Sequence, residues 1–378
     1  MDFGFSEQQG EVQTLARQIL SEQVTPERLA AYDEFKAERF DRDLWQQLAQ
    51  AGLLGVSIEE SHGGMGFGFT ELAIFIEEIG RSIAPVPVIP HLVSAAAPIQ
   101  RFGSSELQGR WLPGVASGDV LLTAALMEPG NEEPSAPSLT TATVDGDGYR
   151  VSGTKTCVPF AHSADRILLS AAVDGGVVVL LVDPQSSGID LEDVRYSTYE
   201  TQYHMTLQDV QVSAADVLAG PEEGAAVMQW LSLRTTAALC AHQLGVSDQS
   251  MRMTASYSAE RKQFGVLIGT FQAVGHRAAN CYIDVECLRL NAYQAASLLA
   301  SEVDATNEVQ IAKVWAGDVG HRVSYASQHL HGGTGIDRDY PLWRYCLWAR
   351  HNEMMLGGSA RQLAALGARI AAGEAYCA

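Results

Sequence analysis

Two short stretches of the sequence combine residue types that suit the binding of a phosphorylated ligand. In the first, Arg261 follows Glu260, and a guanidinium can hold a phosphate group through two parallel hydrogen bonds. In the second, Gly332 and Gly333 are adjacent, which lets a backbone approach a ligand closely. Taken singly, each has a plainer explanation. Arg261 could pair with Glu260 or cap a helix, and the two glycines could form an ordinary turn between helices.

Charge limits the ligands that these stretches can bind. With 25 Lys and Arg against 45 Asp and Glu, the 378-residue chain has a formal net charge of −20. An acidic surface repels nucleic acid and anionic membranes, so neither is expected as a partner. It also repels anionic ligands, so a phosphate site must depend on a few placed arginines and on helix N-termini.

The cysteines, the histidines and the first residues exclude several other classes of protein. None of the six cysteines forms a CxxC pair, and the histidines show no metal-ligand spacing with acidic residues. We therefore expect reduced thiols, no disulfide framework and no metal. The start MDFGFSEQQGE is not a signal peptide, and the apolar run at 177–182 is too short to span a bilayer. These features predict a soluble, cytoplasmic protein.

Three successive patterns along the chain predict three domains. Residues 1–117 have apolar residues at spacings of three and four, typical of helices. Residues 118–220 change to a period of two, which predicts a small β-barrel or sandwich. Residues 221–378 predict long helices at 225–258, 271–301, 307–330 and 340–372, packed as a four-helix bundle. The predicted fold class is α+β, with an N-terminal helical domain, a middle β-barrel domain and a C-terminal four-helix bundle.

Three stretches, in this order and spacing, resemble the acyl-CoA dehydrogenase family, and the resemblance covers essentially the whole chain. Residues 257–265 (YSAERKQFG) and 268–272 (IGTFQ) are similar to the family's Y-x-x-x-R-x-x-F-G…F-Q element. Residues 330–336 (LHGGTGI), with YP at 340–341, are similar to L-x-G-G-x-G-F…Y-P. Residues 102–104 (FGS), 112–113 (LP) and 128–130 (EPG) resemble the family's entry into the β domain, where T-E-P begins the flavin loop.

The resemblance implies an FAD site that is shared between subunits. In the family, one protomer holds the isoalloxazine ring. Its neighbour supplies the arginine to the pyrophosphate, the phenylalanine and glutamine to the ADP half, and the Gly-Gly turn to the adenosine. The residues in family register, which we predict to bind FAD, are Arg261, Gln263, Phe264, Ile268, Phe271, Gln272, His329, Gly332 and Gly333.

The chain departs from the family at the residues that carry out the reaction. In the family, a glutamate removes the α-proton of the acyl group while the β-hydride goes to flavin N5. The two family positions for this glutamate correspond to Leu356 and Thr235, which cannot act as general bases near neutral pH. The ring-binding side differs too: Met127 precedes the EPG stretch, GNEEPS at 130–135 replaces G-A-G-S-D, and CVPF at 157–160 aligns with W-I-T-N.

The base and the ring-binding residues are lost, whereas the residues for the ADP half are kept. This combination resembles the companion subunit of the two-gene, α2β2 acyl-CoA dehydrogenases of actinobacterial steroid side-chain degradation. It implies an acyl-CoA substrate, an electron-transfer acceptor and a homologous, base-bearing partner subunit. Two other interpretations stay open: a complete homo-oligomeric dehydrogenase whose base has moved to Glu353, and a non-catalytic scaffold. Retention of Arg261 and the Gly-Gly turn argues against the scaffold. Apolar residues on several faces of the predicted helix at 271–301 indicate an interface.

Overall fold

The N-terminal region is helical, as the spacing of its apolar residues predicts. The computed structural model describes residues 4–35 and 38–374. Ser6 begins the first helix with a capping box, in which its hydroxyl accepts from the N–H of Gln9 and its own N–H donates to the Gln9 side chain. The helices are α1 (Glu7–Gln23), α2 (Pro26–Ala30), α3 (Arg42–Gln50), α4 (Phe69–Ser82), α5 (Ala97–Phe102) and α6 (Ser105–Ser117), with a π-helical stretch at Ile89–Ala96.

Eight strands in the middle of the chain form one sheet. They are β1 (Leu122–Ala125), β2 (Thr141–Asp145), β3 (Gly148–Pro159), β4 (Arg166–Val173), β5 (Gly176–Val182), β6 (Ile189–Arg195), β7 (Thr201–Val212) and β8 (Val217–Ala219). The order is β6-β7-β3-β2-β4-β5-β8, and β1 pairs in parallel with β4. Buried apolar side chains such as Val151, Leu169, Leu180 and Met205 form its core. The prediction of a β region between two helical regions is therefore confirmed.

The predicted β-barrel is not confirmed. Within the described residues no pairing joins the outer strands β6 and β8, so the sheet stays open. Closure would require these two strands to pair along their length. However, β8 has only three residues and β6 has no buried residue. Apolar residues that alternate with a period of two identify strand residues, but they do not determine which strands pair.

Long helices follow the sheet, and one of the predicted helices is divided in two. The helices are α7 (Gly224–Glu260), α8 (Gln272–Ala300), α9 (Thr306–His331), α10 (Leu342–Met354) and α11 (Ser359–Ala371), and α9 packs against α8, α10 and α11. The prediction of a single helix at 340–372 is therefore wrong. The break falls at Leu356 and Gly357, whose φ angles of 54° and 88° are incompatible with a right-handed α-helix.

The chain divides into two compact units, each assembled from separate stretches. The first takes its described residues from 1–29, 73–84 and 236–378, and the second from 30–72 and 85–235. The predicted domain limits at 117 and 220 stay a prediction. No helix in the described part of the chain is long and apolar enough to cross a membrane.

A buried charge network holds the helices of the first unit together. Glu77 and Glu78 on α4 and Asp248 on α7 are almost fully buried, and buried carboxylates need cationic partners. Those partners are Arg17 of α1, Arg81 of α4, Arg252 of α7 and Arg289 of α8. Because the arginines come from four helices, the network ties α1, α4, α7 and α8 to one another.

Candidate functional site

A short hairpin follows α7 and carries part of the predicted FAD site. Strand β9 (Lys262–Gln263) pairs antiparallel with β10 (Val266–Leu267). Phe264 and Gly265 connect the strands with positive φ angles of 53° and 81°, the pattern of a two-residue type I′ turn. The turn directs Phe264 away from the protein, so that 92% of its surface is exposed.

Arg261 has a fixed backbone and a free side chain. Its N–H donates to the carbonyl of Tyr257 (2.9 Å), and its carbonyl accepts from the N–H of Ile268 (2.8 Å). Its guanidinium is exposed, and within the described part of the chain it has no hydrogen bond or ion pair. The alternative of a salt bridge with Glu260 is therefore not realised, and the guanidinium is available to a ligand.

The start of α8 lies against the tip of this hairpin. After a single 3-10 turn at Ile268–Thr270, the N–H of Phe271 donates to the carbonyl of Ile268 (3.0 Å). The rings of Phe264 and Phe271 meet edge to face, with their centroids 6.3 Å apart. The structure therefore brings together six of the predicted residues, Arg261, Gln263, Phe264, Ile268, Phe271 and Gln272.

The two predicted glycines lie at the end of α9. Gly332 has φ 60° and ψ −135°, and its N–H donates to the carbonyls of Gln328 and His329. Gly332 and Gly333 are exposed, and a Cβ atom added to either would find no atom within 4 Å. The backbone of this turn is therefore open on its outer side, as a surface that contacts a ligand through glycines must be.

One buried ring and two half-buried rings lie behind the glycine turn. His331 is buried, and its Nδ1 donates to the carbonyl of Ser327 (2.8 Å), so its Nε2 accepts from the hydroxyl of Tyr340 (3.1 Å). The ring of Tyr257 stacks on His331 with centroids 4.3 Å apart. Burial lowers the pKa of His331, more than the bond to Ser327 raises it, so the ring is neutral near pH 7. Because Tyr257 is one turn before Arg261, this stack links the arginine to the glycine turn.

Beside the glycine turn, His329 is surrounded by residues that the sequence analysis missed. Arg277 of α8 donates to Nδ1 of His329 and lies 5.6 Å from the ring centroid of Tyr325. The rings of Tyr325 and His329 are nearly parallel, with an interplanar angle of 6°. The spacing of Tyr325 and His329 by four residues on one helix was the available signal. No signal in the sequence predicted the approach of Arg277, which lies on another helix.

At the first base position, Leu356 offers no group that can accept a proton. Its side chain is 7% exposed. It lies just after α10, whose last carbonyls are bound by a buried lysine: Lys313 donates to the carbonyls of Asn352 and Glu353. The nearby carboxylate of Glu353 is bound to Arg350 at 2.5 Å. Glu353 is therefore engaged in an ion pair, which argues against its role as a relocated base.

At the second base position, Thr235 is buried and bound to another hydroxyl. Its Oγ1 is 3.1 Å from Oγ of Ser94, which lies in the π-helical stretch Ile89–Ala96. Neither residue can act as a general base near neutral pH. Both positions where the family carries its glutamate therefore lack a carboxylate in this chain.

In the loop that resembles T-E-P, the carboxylate of Glu128 is turned into the protein. It accepts hydrogen bonds from the N–H groups of Ser138, Leu139 and Thr140 and forms an ion pair with buried Lys155 at 2.9 Å. Burial alone would raise the pKa of Glu128, but Lys155 and the N–H donors lower it to about 2. Glu128 therefore links the two ends of the loop at 128–140.

The residues aligned with the family's flavin-ring-binding side contact other residues of the chain. Cys157 has a positive φ of 54°, and its Sγ is 2.5 Å from the hydroxyl of Tyr196. Phe160 is 3% exposed and packs edge to face on Phe40. Met127 is 7% exposed. The half-buried thiol at position 157 and the buried ring at position 160 thus each contact another residue of the chain.

Comparison with known proteins identifies the class to which this fold and site belong. The acyl-CoA dehydrogenase N-terminal domain matches residues 6–119, and the acyl-CoA dehydrogenase C-terminal domain matches residues 222–371. Together these matches span more than half of the chain. The chain therefore belongs to the acyl-CoA dehydrogenase family of flavoprotein oxidoreductases.

Within the family, the chain is similar to mycobacterial acyl-CoA dehydrogenases and to a chain of a steroid ACAD. It is 38% identical to acyl-CoA dehydrogenase FadE27 of Mycobacterium tuberculosis, over 98% of this chain and 99% of the relative. A chain of the ChsE4-ChsE5 complex from Mycobacterium tuberculosis superposes with a TM-score of 0.93 at 37% identity, covering 100% of both chains. A chain of the Tcur3481-Tcur3483 steroid ACAD has a TM-score of 0.91 at 40% identity, covering 98% of this chain and 99% of that one.

Proposed function

We propose that this chain is the companion subunit of a heteromeric, FAD-dependent acyl-CoA dehydrogenase. The assembly introduces an α,β double bond into an acyl-CoA thioester. Similarity to chains of the ChsE4-ChsE5 complex and of the Tcur3481-Tcur3483 steroid ACAD supports a heteromeric assembly. Similarity to the steroid ACAD supports the CoA thioester of a steroid side chain as the substrate class.

One observation carries this proposal: Arg261 and the glycine turn, which we predict to bind the ADP half of FAD, are exposed, whereas both base positions are buried and lack a carboxylate. Arg261 is exposed and unpaired within the described residues. Leu356 and Thr235 are 7% and 5% exposed, and neither can remove a proton near neutral pH. A partner subunit must therefore supply the general base.

The exposed residues fit the ADP half of FAD. Arg261 offers an unpaired guanidinium to the pyrophosphate, and the open space beside Gly332 and Gly333 allows the backbone to approach the adenosine. When bound, FAD accepts the hydride that leaves the acyl chain. In this proposal the partner subunit holds the isoalloxazine ring, and this chain binds the other end of the cofactor.

The proposal includes the assembly and the finer architecture. The partner is a homologous, base-bearing subunit in an α2β2 tetramer, and an electron-transfer acceptor reoxidises the flavin. The N-terminal domain covers residues 1–117, the middle domain 118–220, and the C-terminal four-helix bundle 221–378. The proposed location is the cytoplasm.

The test replaces Arg261 by alanine in the complex co-expressed with the base-bearing partner. A charge-assisted hydrogen bond contributes roughly 1.5–3 kcal/mol, so the dissociation constant of FAD should rise at least about tenfold. Arg261→Lys should restore binding only in part, because an ammonium does not reproduce the fork of a guanidinium. Flavin absorbance after gel filtration and titration of the apo-complex with FAD measure the effect.

Arg195 provides a matched control. It is an exposed arginine at the end of β6, so Arg195→Ala removes the same charge from another part of the chain and should leave FAD binding unchanged. Full flavin occupancy in the Arg261→Ala complex would overturn the assignment. Full activity of this chain purified without a partner would replace the companion subunit by the homo-oligomeric enzyme.

A further inference from the structure

Arg277, Tyr325 and His329 form a cluster at the surface where α8 and α9 approach the glycine turn. Tyr325 and His329 are exposed and Arg277 is half-buried. Arg277 donates to Nδ1 of His329, its guanidinium lies 5.6 Å from the ring centroid of Tyr325, and the two rings are parallel within 6°. The three side chains therefore hold one another in a defined orientation.

The partner of Arg277 is unusual for an arginine in so acidic a chain. The sequence has 45 acidic residues, yet among the described residues Arg277 forms no ion pair with a carboxylate, and its hydrogen bond goes to an imidazole. Arg277 therefore places near the turn a positive charge that no carboxylate of the described residues pairs with.

This contact determines the tautomer of His329. A guanidinium only donates hydrogen bonds, so Nδ1 of His329 must be the lone-pair nitrogen, and the ring proton is on Nε2. No described residue forms a hydrogen bond with that Nε2. His329 therefore presents an oriented, unpaired N–H donor at the surface, three residues before Gly332.

We propose that Arg277 is a positioning residue, which holds His329 as an Nε2–H donor to an acceptor atom in the ADP half of FAD. Tyr325 supports the arrangement by keeping the guanidinium and the imidazole in place. The inference rests on the proposed function, because it assigns a role to residues beside the same dinucleotide surface. It adds a residue on α8 and a defined protonation site to that surface.

A double-mutant cycle tests whether Arg277 acts through His329. In the apo-complex titrated with FAD, Arg277→Met should raise the dissociation constant roughly three- to tenfold, the range for one hydrogen bond. A glutamine at position 329 carries an amide N–H and has no tautomers. In the His329→Gln background, Arg277→Met should therefore change the dissociation constant less than about twofold, which is below the range for a hydrogen bond. Arg195→Met serves as the control for loss of charge.

A second measurement follows the histidine directly, in the full chain without cofactor. With 15N-labelled histidine, the ring signals removed by His329→Gln identify this residue. We expect a protonated Nε2 and an unprotonated Nδ1 in the wild type, and a mixture of tautomers after Arg277→Met. Arg277→Lys, which keeps one donor, should retain the wild-type tautomer. This readout also shows whether each variant is folded.

The outcomes separate this inference from the proposed function. Equal effects of Arg277→Met in both backgrounds, or an Nδ1–H tautomer in the wild type, would overturn the positioning role. If Arg261→Ala loses FAD while Arg277→Met does not, only the inference fails. If Arg261→Ala keeps FAD at wild-type affinity, the proposed function itself fails.

Discussion

At the scale of single residues, the two base positions lack a proton acceptor in different ways. Leu356 places an apolar side chain in a buried position while its backbone keeps a φ of 54°. A bulky residue in this region is strained by roughly 1–3 kcal/mol. Thr235 forms a buried hydroxyl pair with Ser94. The backbone at position 356 therefore has a φ angle that leucine does not favour. The leucine side chain itself contributes nothing to proton transfer.

The carboxylate closest in sequence to Leu356 should be dispensable for catalysis. Glu353 is bound to Arg350, so Glu353→Gln should leave turnover by the complex nearly unchanged. A general base contributes at least about a hundredfold to the rate, so steady-state kinetics distinguish the two cases. Replacement of the partner subunit's glutamate is the positive control and should abolish turnover. Loss of activity in Glu353→Gln with the flavin still bound would favour the homo-oligomeric interpretation.

At the scale of elements, the candidate site is formed by the end of α7, the β9–β10 hairpin and the end of α9. Tyr257 stacks on His331, and the hydroxyl of Tyr340 donates to the same ring. These contacts hold the glycine turn against the helix that precedes Arg261. The stack therefore links Arg261 to the glycine turn through the half-buried ring of Tyr257.

The two glycines of the turn should respond differently to the same substitution. Gly332 has φ 60° and ψ −135°, a region that L-residues avoid, so Gly332→Ala should destabilise the chain by roughly 1–3 kcal/mol. Gly333 has no positive φ, and an added Cβ would find open space, so Gly333→Ala should leave the melting temperature almost unchanged. Thermal unfolding of the isolated chain measures both. Equal melting temperatures for the two variants would show that the backbone of Gly332 is not strained by a side chain.

At the scale of the whole molecule, α8 is apolar on more than one face. Val285, Leu288 and Ala292 are buried within the chain, whereas Ile283 and Leu290, seven residues apart, are 58% and 53% exposed. A helix that packs on one side and exposes large apolar residues on another is typical of an interface. The pattern supports an assembly in which α8 contacts another subunit.

The assembly should depend on this face of α8. Ile283→Glu together with Leu290→Glu introduces charges where an interface would desolvate them, so the complex with the partner should dissociate. Light scattering should then report a smaller particle than the wild type, which we expect at about four times the 40.7 kDa chain mass. Val144 is 70% exposed on β2, so Val144→Glu is the matched control. A stable monomer of the wild type in the presence of the partner would contradict the α2β2 assembly.

The sequence by itself was sufficient for the order of a helical region, a β region and a second helical region, and for the family resemblance. Apolar periods are local, so the helices and strands could be predicted from short windows. The motifs around Arg261 and Gly332 are also local, because each lies within one hairpin or one turn. The replaced base positions, Leu356 and Thr235, were visible as soon as these motifs had been aligned.

Only the tertiary structure decided how distant stretches meet. Arg277 and His329 are 52 residues apart, and Glu77 and Arg289 are 212 apart, and no local pattern predicts such pairs. The same holds for the open sheet, because the pairing of outer strands depends on the packing of the whole sheet. The break between α10 and α11 had a local signal in Gly357, but the apolar pattern across it suggested one helix. Side-chain tautomers, buried ion pairs and strand order follow from three-dimensional packing, in which residues far apart in sequence become neighbours.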